Sequence, residues 1–508
     1  MNGAGFLTIL FSTGAIKTVQ LGFFCLTLEK ISLSPVVAES LDTLTLFNCT
    51  LTLNDLGRIL AMCAGTLKTF VQHSTITGET FGIKLSLPSL ETLKVNKRVS
   101  GMVFGEWMRF CGPNLKVISF EGINMTGDEL SEFRGKFVHL QETRFSYGPT
   151  DSGIVKAIQM SGTCLKILSL NNTDLTGEGM SSVEGQLVNI EELNLSYCRK
   201  LTDNGLTEIL KVCRRTLSVL CLEGTQITGP KLSVLGERFS IPNLSGINFG
   251  ACASLTNQGL RDFLKISGPL LRSLDLMRTN VTGEGLWAFA DKFVMVETLF
   301  LNDCPNLTDQ GLSQMLAICG QRLKFLWLCR SNISGEEVAL PAGRFPMLEN
   351  LNLSCMDYLT DKGLLNLLRA CGSKLLFLLL TKTTITGKGL FKLQGRLTHL
   401  QQLNLSTNHC LMDEGLCDLL SMCGDSLQCL RLQGTPVTGQ GLEQLAGKFP
   451  KLRTICLSSC PNLTEQGLKV MLAMTGDSLA TVTLAHTSLS RQFIAAVNAT
   501  RPSVRMEN

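Results

Sequence analysis

The sequence predicts an open α/β solenoid, a horseshoe in which parallel strands line the concave face and helices cover the convex face. The main observation is a repeated frame that begins with alternating apolar residues. Its long form starts at Leu193, Ile247, Leu299, Leu351, Leu403 and Ile455, in steps of 52 to 54 residues. A shorter form lies between successive copies and starts at Leu220, Leu274, Leu326, Leu378, Leu430 and Val482. Such internal periods indicate stacked small units rather than a series of globular domains.

One long form and the short form that follows it make a repeating pair, and we call its two parts the long half and the short half. Both halves have the same internal order of strand, loop and helix. The Leu-x-Leu alternation predicts a short strand with one buried face. The loop closes on Thr-Asp in long halves and on Thr-Gly in short halves. The following Gly-Leu-x-x-Leu-Leu-x-x-Cys places apolar residues at helical spacing. We therefore predict one helix per half, with N-caps at Asp203, Asp309, Asp361 and Asp413.

Weaker copies extend the repeat towards the N-terminus. Long halves start at Leu44, Leu93 and Thr143, short halves start at Phe70, Ile118 and Leu168, and Ile16-x-x-Val19-x-Leu21 precedes them. The resulting 19 strands, each in a unit of about 26 residues, account for nearly all 508 residues. A (β/α) barrel closes at eight units, so this number of units predicts an open stack.

The domain prediction follows from this count. We expect one repeat domain over residues 1–508. Within it we expect incomplete first repeats at 1–40, weaker repeats at 41–190, regular long and short pairs at 191–490 and a short C-terminal tail at 491–508.

The segment from Leu299 to Leu312 reads Leu-Phe-Leu-Asn-Asp-Cys, then Leu-Thr-Asp-Gln-Gly-Leu after two residues. This pattern resembles the cysteine-containing subclass of the leucine-rich repeat superfamily, best known from F-box/leucine-rich repeat proteins. The resemblance covers essentially the whole chain and implies a horseshoe fold. It also implies a substrate-recognition arm of an SCF ubiquitin ligase, acting in ubiquitin-dependent protein catabolism. The alternation of long and short halves resembles NLR-type innate-immune receptors, and the alternative is therefore a ligand-sensing arm of such a receptor.

The N-terminal residues do not resemble the helical F-box module that precedes the repeats in F-box receptors. Residues 5–14 align instead with residues 467–476, in the helix of a long half. We expect these residues to form the helix of an incomplete first repeat rather than a signal peptide. We also expect the chain to be a fragment of a longer product or to lack an upstream exon. Ligase subunits would be partners if an upstream module exists.

Composition restricts the other classes of function. The chain is 17% charged with mean hydropathy +0.21, and its net charge is +4, so we expect neither disorder nor a nucleic-acid partner. The longest apolar run, residues 375–380, is too short to span a membrane, and we expect no membrane insertion. Twenty cysteines recur at fixed repeat positions without zinc-type spacing, which favours free thiols and a cytoplasmic location.

Two cysteine positions are predicted to be structural. The first position follows the strand, carries cysteine in long halves and threonine in short halves, and should satisfy loop backbone groups. Its members are Cys49, Cys198, Cys252, Cys304 and Cys460 with Thr75, Thr173, Thr225, Thr279, Thr383, Thr435 and Thr487. The other lies at the helix end and should be buried, at Cys63, Cys111, Cys213, Cys319, Cys371 and Cys423. The sequons at Asn194, Asn352 and Asn404 belong to the strand repeat, so we read them as structural as well.

No motif for catalysis is present: GxSxG, HExxH and the P-loop are absent from the sequence. We expect a protein that is not an enzyme, with no catalytic, cofactor-binding or metal-binding residues and no cofactor.

The concave face is where a protein partner would bind. Residues flanking the buried leucine pair point into it, and most of them are small or polar. The exception is a run over four successive strands, formed by Phe300, Phe325, Trp327, Asn352, Phe377 and Leu379. Exposed aromatic patches mark binding sites. These six residues are our partner-binding candidates.

Overall fold

The computed structural model describes residues 17–22, 41–78, 81–95, 99–124, 126–229, 232, 235, 239–393 and 396–507. The chain forms two compact units, residues 1–244 and 245–508. The predicted helix over residues 5–14 and Ile16 of the first predicted strand lie outside the described residues. No helix among the described residues is long and apolar enough to span a membrane.

In the first unit, parallel strands follow one another in chain order, each paired with the next. The strands are β1 (Thr18–Gly22), β2 (Thr43–Thr52), β3 (Thr69–Thr77), β4 (Thr92–Val95), β5 (Val99–Ser100), β6 (Val117–Glu121), β7 (Ile123–Asn124), β8 (Glu142–Ser146), β9 (Ile167–Ser169), β10 (Glu192–Asn194) and β11 (Val219–Cys221). Strands β5 and β7 pair with each other outside the main sheet. The helices are α1 (Leu53–Met62), α2 (Gly101–Phe110), α3 (Asp151–Met160) and α4 (Asp203–Cys213).

The second unit has the same parallel order. Its strands are β12 (Gly246–Asn248), β13 (Ser273–Asp275), β14 (Thr298–Phe300), β15 (Phe325–Trp327), β16 (Asn350–Asn352), β17 (Phe377–Leu379), β18 (Gln402–Asn404), β19 (Cys429–Arg431), β20 (Thr454–Cys456), β21 (Thr481–Thr483) and β22 (Arg505–Glu507). Its helices are α5 (Asn257–Ile266), α6 (Ala290–Phe293), α7 (Asp309–Ile318), α8 (Asp361–Ala370), α9 (Asp413–Met422), α10 (Glu465–Ala473) and α11 (Arg491–Thr500).

The predicted α/β solenoid class is confirmed: in each unit parallel strands alternate along the chain with helices or 3-10 turns. All 18 predicted strand starts from Leu44 to Val482 lie in strands, and β1 contains Val19 and Leu21. The parallel sheets arise because each strand buries its central leucine against the same residue of the next half, as Leu299 does beside Leu326. Residues 491–508, predicted as a short C-terminal tail, contain α11 and β22.

The prediction of one helix per half is wrong for most short halves. Long halves carry α-helices of nine to eleven residues, whereas short halves carry brief 3-10 turns such as Met180–Val183, Leu390–Leu393 and Glu443–Leu445. The physical reason is the Thr-Gly-x-Gly sequence, because its glycines adopt positive φ, as Gly283 (82°) and Gly285 (78°) do. In the last short half Arg491 and Phe493 replace these glycines, and α11 forms there.

The predicted N-cap aspartates are also wrong. The N-caps are the preceding residues, which are threonines except for Met412 before Asp413. Thr202 Oγ1 accepts a hydrogen bond from Gly205 N at 2.9 Å, and Thr308 does the same for Gly311. Asp203, Asp309, Asp361 and Asp413 are instead the first helical residues. Their carboxylates reach the Thr-Gly or Ser-Gly loop of the next half, whose backbone N–H groups need an acceptor.

Candidate functional site on the strand face of the second unit

The strands of the second unit present two outward positions. In β13 to β18 the middle residue is buried and the first and third residues are half-buried. This alternation follows from the two-residue period of a strand, which turns successive side chains to opposite faces. We use the name strand face for the surface that the first and third positions form, with the residues that follow each strand at its edge.

Parallel register brings the six predicted binding residues together on four neighbouring strands. The third positions run Phe300, Trp327, Asn352 and Leu379 across β14 to β17. The first positions run Thr298, Phe325, Asn350 and Phe377 across the same strands. Adjacent strands lie about 4.8 Å apart, so these side chains form one contiguous surface. We call Phe300, Phe325, Trp327, Phe377 and Leu379 the apolar cluster.

The apolar cluster is held by direct contacts. The ring centroids of Phe300 and Trp327 lie 4.8 Å apart with their planes tilted by 47°. Trp327 Nε1 donates a hydrogen bond to Asn350 Oδ1 at 3.1 Å. Asn350 is not among the predicted candidates, although its place at the first position of β16, beside Phe325, puts it on the same surface. The indole is therefore fixed in orientation while its ring remains part of the surface.

The β16 strand forms a notch in the apolar cluster. Its two outward residues interrupt the apolar side chains: Asn350 is shorter than Phe325 and Phe377 on its two sides, and Asn352 is shorter than Trp327 and as long as Leu379. Asn352 Oδ1 accepts a hydrogen bond from Ser354 N at 3.0 Å. The floor of the notch is thus polar, and its walls are aromatic and aliphatic.

Charged residues lie at the edge of the strand face where the strands end. One position with positive φ, between 54° and 58°, recurs in five successive halves. It carries Arg278, Asp303, Arg330, Cys355 and Lys382, and all of these except Cys355 are charged. Asp303 contacts both arginines, with Oδ2 3.6 Å from Arg278 Nε and Oδ1 3.7 Å from an Arg330 guanidinium nitrogen. One carboxylate therefore faces two guanidinium groups, and this edge is basic.

The predicted ladder of small side chains is confirmed where Cys and Thr alternate. Leu276 O accepts hydrogen bonds from Thr279 Oγ1 at 2.7 Å and from Cys304 Sγ at 3.1 Å. Leu432 O likewise accepts from Thr435 and Cys460. In the first repeats Ser74, rather than the predicted Thr75, has this role: it is buried and accepts from Cys49 N at 3.1 Å.

The helix-end cysteines are confirmed as buried packing residues. Burial raises the pKa of Cys111, Cys213, Cys319, Cys371 and Cys423 to about 12. Beside the apolar cluster, burial raises the pKa of Cys329 to about 11. These thiols stay protonated near neutral pH and are poor nucleophiles. Within the described ranges, His, Cys, Asp and Glu form no group of three or more that could hold a metal ion.

Comparison with known proteins supports the repeat assignment. The model of the Leucine Rich repeat family matches residues 163–183, 186–210 and 269–290. Residues of this chain are 31% identical over 158 positions to the F-box/LRR-repeat protein 4 of Bos taurus, a match that covers 30% of this chain and 25% of that relative. The similarity therefore spans about a quarter of the relative's length.

Two solved structures also resemble the chain. An internalin from Listeria monocytogenes matches with a TM-score of 0.44 and 16% identity, over 70% of this chain and 82% of the internalin. The leucine-rich repeat ectodomain of the Arabidopsis thaliana receptor kinase GASSHO1/SCHENGEN3 matches with a TM-score of 0.42 and 18% identity, over 94% of this chain and 60% of the ectodomain.

Proposed function

We propose that this leucine-rich repeat protein recognises substrates for ubiquitin-dependent turnover in the cytoplasm, with the apolar cluster as its binding surface. Its repeats indicate a protein-interaction scaffold, a fold that is typically non-enzymatic. The observation that carries the proposal is the contiguous apolar cluster on β14 to β17. The ubiquitin ligase assignment is supported by the partial similarity to an F-box/LRR-repeat protein.

The composition of the apolar cluster fits a protein partner. Each fully buried large apolar side chain contributes roughly 1.5–3 kcal/mol relative to an exposed one. A partner that covers Phe325, Trp327 and Phe377, which are half-buried in the free chain, would gain part of that free energy. Tryptophan is enriched among the residues that dominate protein interfaces. Recognition of this kind depends on burying apolar side chains and needs no catalytic group. We therefore propose no enzymatic role for the chain.

The double substitution Trp327→Ala and Phe377→Ala tests the proposal. The protein is tagged at its own locus, the proteasome is inhibited, and co-purifying proteins are identified by mass spectrometry. We expect ubiquitylated partners and ligase subunits to be captured by the unsubstituted protein. The double variant should lose the partners and retain the ligase subunits, because only the binding surface has changed.

A matched pair on another surface serves as the control. Trp287 is 70% exposed and Phe391 is 55% exposed, and both lie in the 3-10 turns of short halves rather than on the strand face. The variant Trp287→Ala with Phe391→Ala should capture partners normally. Equal partner capture by both double variants, or absence of ligase subunits from the unsubstituted protein, would contradict the proposal.

A further inference from the structure

The notch on β16 presents hydrogen-bond donors. Trp327 Nε1 and the Ser354 backbone nitrogen can only donate, so the atoms that they bond on Asn350 and Asn352 must be amide oxygens. The orientation of both amides is therefore fixed by chemistry. Each amide nitrogen, with two hydrogens, is left on the opposite side of its side chain.

These two amide nitrogens have no acceptor among the described residues of the chain. In addition, the first and third positions of β14 to β18 carry no carboxylate: they are Thr298, Phe300, Phe325, Trp327, Asn350, Asn352, Phe377, Leu379, Gln402 and Asn404. The notch thus offers donors between apolar walls. A partner that buries it must supply acceptors, because a buried unsatisfied donor costs about 1–3 kcal/mol.

The edge of the strand face adds positive charge next to the notch. Arg330 follows β15 and Lys382 follows β17, on both sides of β16. The side chains of Arg278 and Arg330 are 62% and 63% exposed, and they share one carboxylate, Asp303, at distances typical of weak surface pairs. The third position of a strand and this edge are three residues apart, which is at most roughly 10 Å at 3.3 Å per residue, because the chain turns at the edge residues with positive φ. One long side chain can span this distance, so a group bound at the notch can also face the charged side chains at the edge.

We propose that the apolar cluster binds an extended segment of a partner protein that carries an apolar side chain next to a carboxylate, that is, Asp or Glu. The apolar side chain packs against Trp327 and Phe377. The carboxylate accepts hydrogen bonds from the amide nitrogens of Asn350 and Asn352 and faces Arg330 and Lys382. This assignment of partner chemistry rests on the proposed function, because it takes the apolar cluster to be the binding surface.

The choice of an acidic segment follows from charge and donor complementarity. A lysine or arginine at the notch would meet amide donors and the basic edge, and would find one carboxylate there, Asp303, which already contacts two arginines. The next carboxylate along the chain near this edge is the exposed Asp357 in the loop after β16. An uncharged polar segment would satisfy the donors but gain nothing from Arg330 and Lys382.

The test uses a phage-displayed library of random twelve-residue peptides, selected on the full chain. We expect enriched peptides to combine an aromatic or aliphatic residue with a neighbouring Asp or Glu. The enriched peptide is then synthesised, and its Kd is measured against variants. Asn352→Asp keeps the oxygen that accepts from Ser354 N but replaces the donor nitrogen with a charged oxygen. It should weaken binding at least about tenfold with the fold retained.

A matched control and a charge series complete the test. Asn194→Asp makes the same change at the third position of β10, where Asn194 Oδ1 accepts from Ser196 N at 2.9 Å, and it should leave the Kd unchanged. Arg330→Asn with Lys382→Asn should weaken binding and reduce its dependence on salt, and asparagine tolerates the positive φ of both positions. Asp303→Asn should tighten binding.

The outcomes separate the two proposals. Peptides that require Trp327 but lack acidic residues, or that bind Asn352→Asp as well as the unsubstituted chain, overturn the acidic-segment proposal and leave the proposed function standing. Failure to enrich any peptide that requires Trp327 overturns the apolar cluster as a binding surface, and both proposals with it.

Discussion

Thr202, Thr308 and Thr360 each accept a hydrogen bond from the backbone N–H three residues later, at 2.9 to 3.0 Å. A side-chain oxygen at this position satisfies one of the unpaired donors of the first helical turn. In α9 the equivalent residue is Met412, which has no capping oxygen and is exposed. In these long halves, one side chain thus determines whether an unpaired N–H group of the first helical turn has an acceptor.

The substitution Met412→Thr should therefore stabilise the protein. Thr would take the extended backbone that Met412 already has (φ −114°, ψ 166°) and accept from Gly415 N, which corresponds to the capped glycine of the other halves. We expect a gain of about 1 kcal/mol in the free energy of unfolding, measured by urea denaturation. Met412→Ala, which removes the exposed side chain without adding an oxygen, is the control and should show no such gain.

At the scale of elements, long-half helices are joined to the loops of the following half by a carboxylate. Asp361 Oδ1 accepts from Thr386 N at 3.1 Å and from Gly387 N at 2.8 Å, and Oδ2 accepts from Thr386 Oγ1 at 2.5 Å. Gly363 lies at the same junction, where a Cβ would overlap Ser334 O of the preceding half. The helix that begins at Asp361 thus contacts both neighbouring short halves.

Asp361→Ala should loosen this junction, because it leaves the two loop N–H groups without their acceptor. We expect a loss of about 2–3 kcal/mol in the free energy of unfolding. Asp361→Asn should cost less than about 1 kcal/mol, since Asn257 fills the equivalent position: its Oδ1 accepts from Thr282 N and its Nδ2 donates to Thr282 Oγ1. Equal losses for the two variants, measured by urea denaturation, would show that these bonds do not hold the junction.

At the scale of the whole molecule, buried thiols recur at the helix ends of both units. Burial raises the pKa of six of them to about 12, from Cys63 to Cys423. The ordinary pKa of a cysteine thiol is 9.0, and we take this value for the unfolded chain. Repeat proteins sum the contributions of their units, so the effect accumulates along the chain.

We expect stability to fall as the pH rises from about 9 to about 12. The folded pKa is raised, so the stability contributed by the neutral thiols is fully present below pH 9 and is lost as the pH rises towards the folded value. Urea denaturation under reducing conditions at pH 8, 9 and 10 would measure it. Cys319→Ala and Cys371→Ala should each flatten this pH dependence, and an unchanged slope in both would contradict the assignment to thiols.

The sequence by itself determined the strand positions, the buried leucines, most of the Cys and Thr ladder and the neighbourhood of the six candidate residues. It could do so because a fixed period places equivalent residues of successive halves side by side. Only the tertiary structure decided the role of Asp361, the turns of the short halves and the outward donors of Asn350 and Asn352. These features depend on hydrogen-bond partners in neighbouring halves and on backbone φ, which the repeat period alone does not specify.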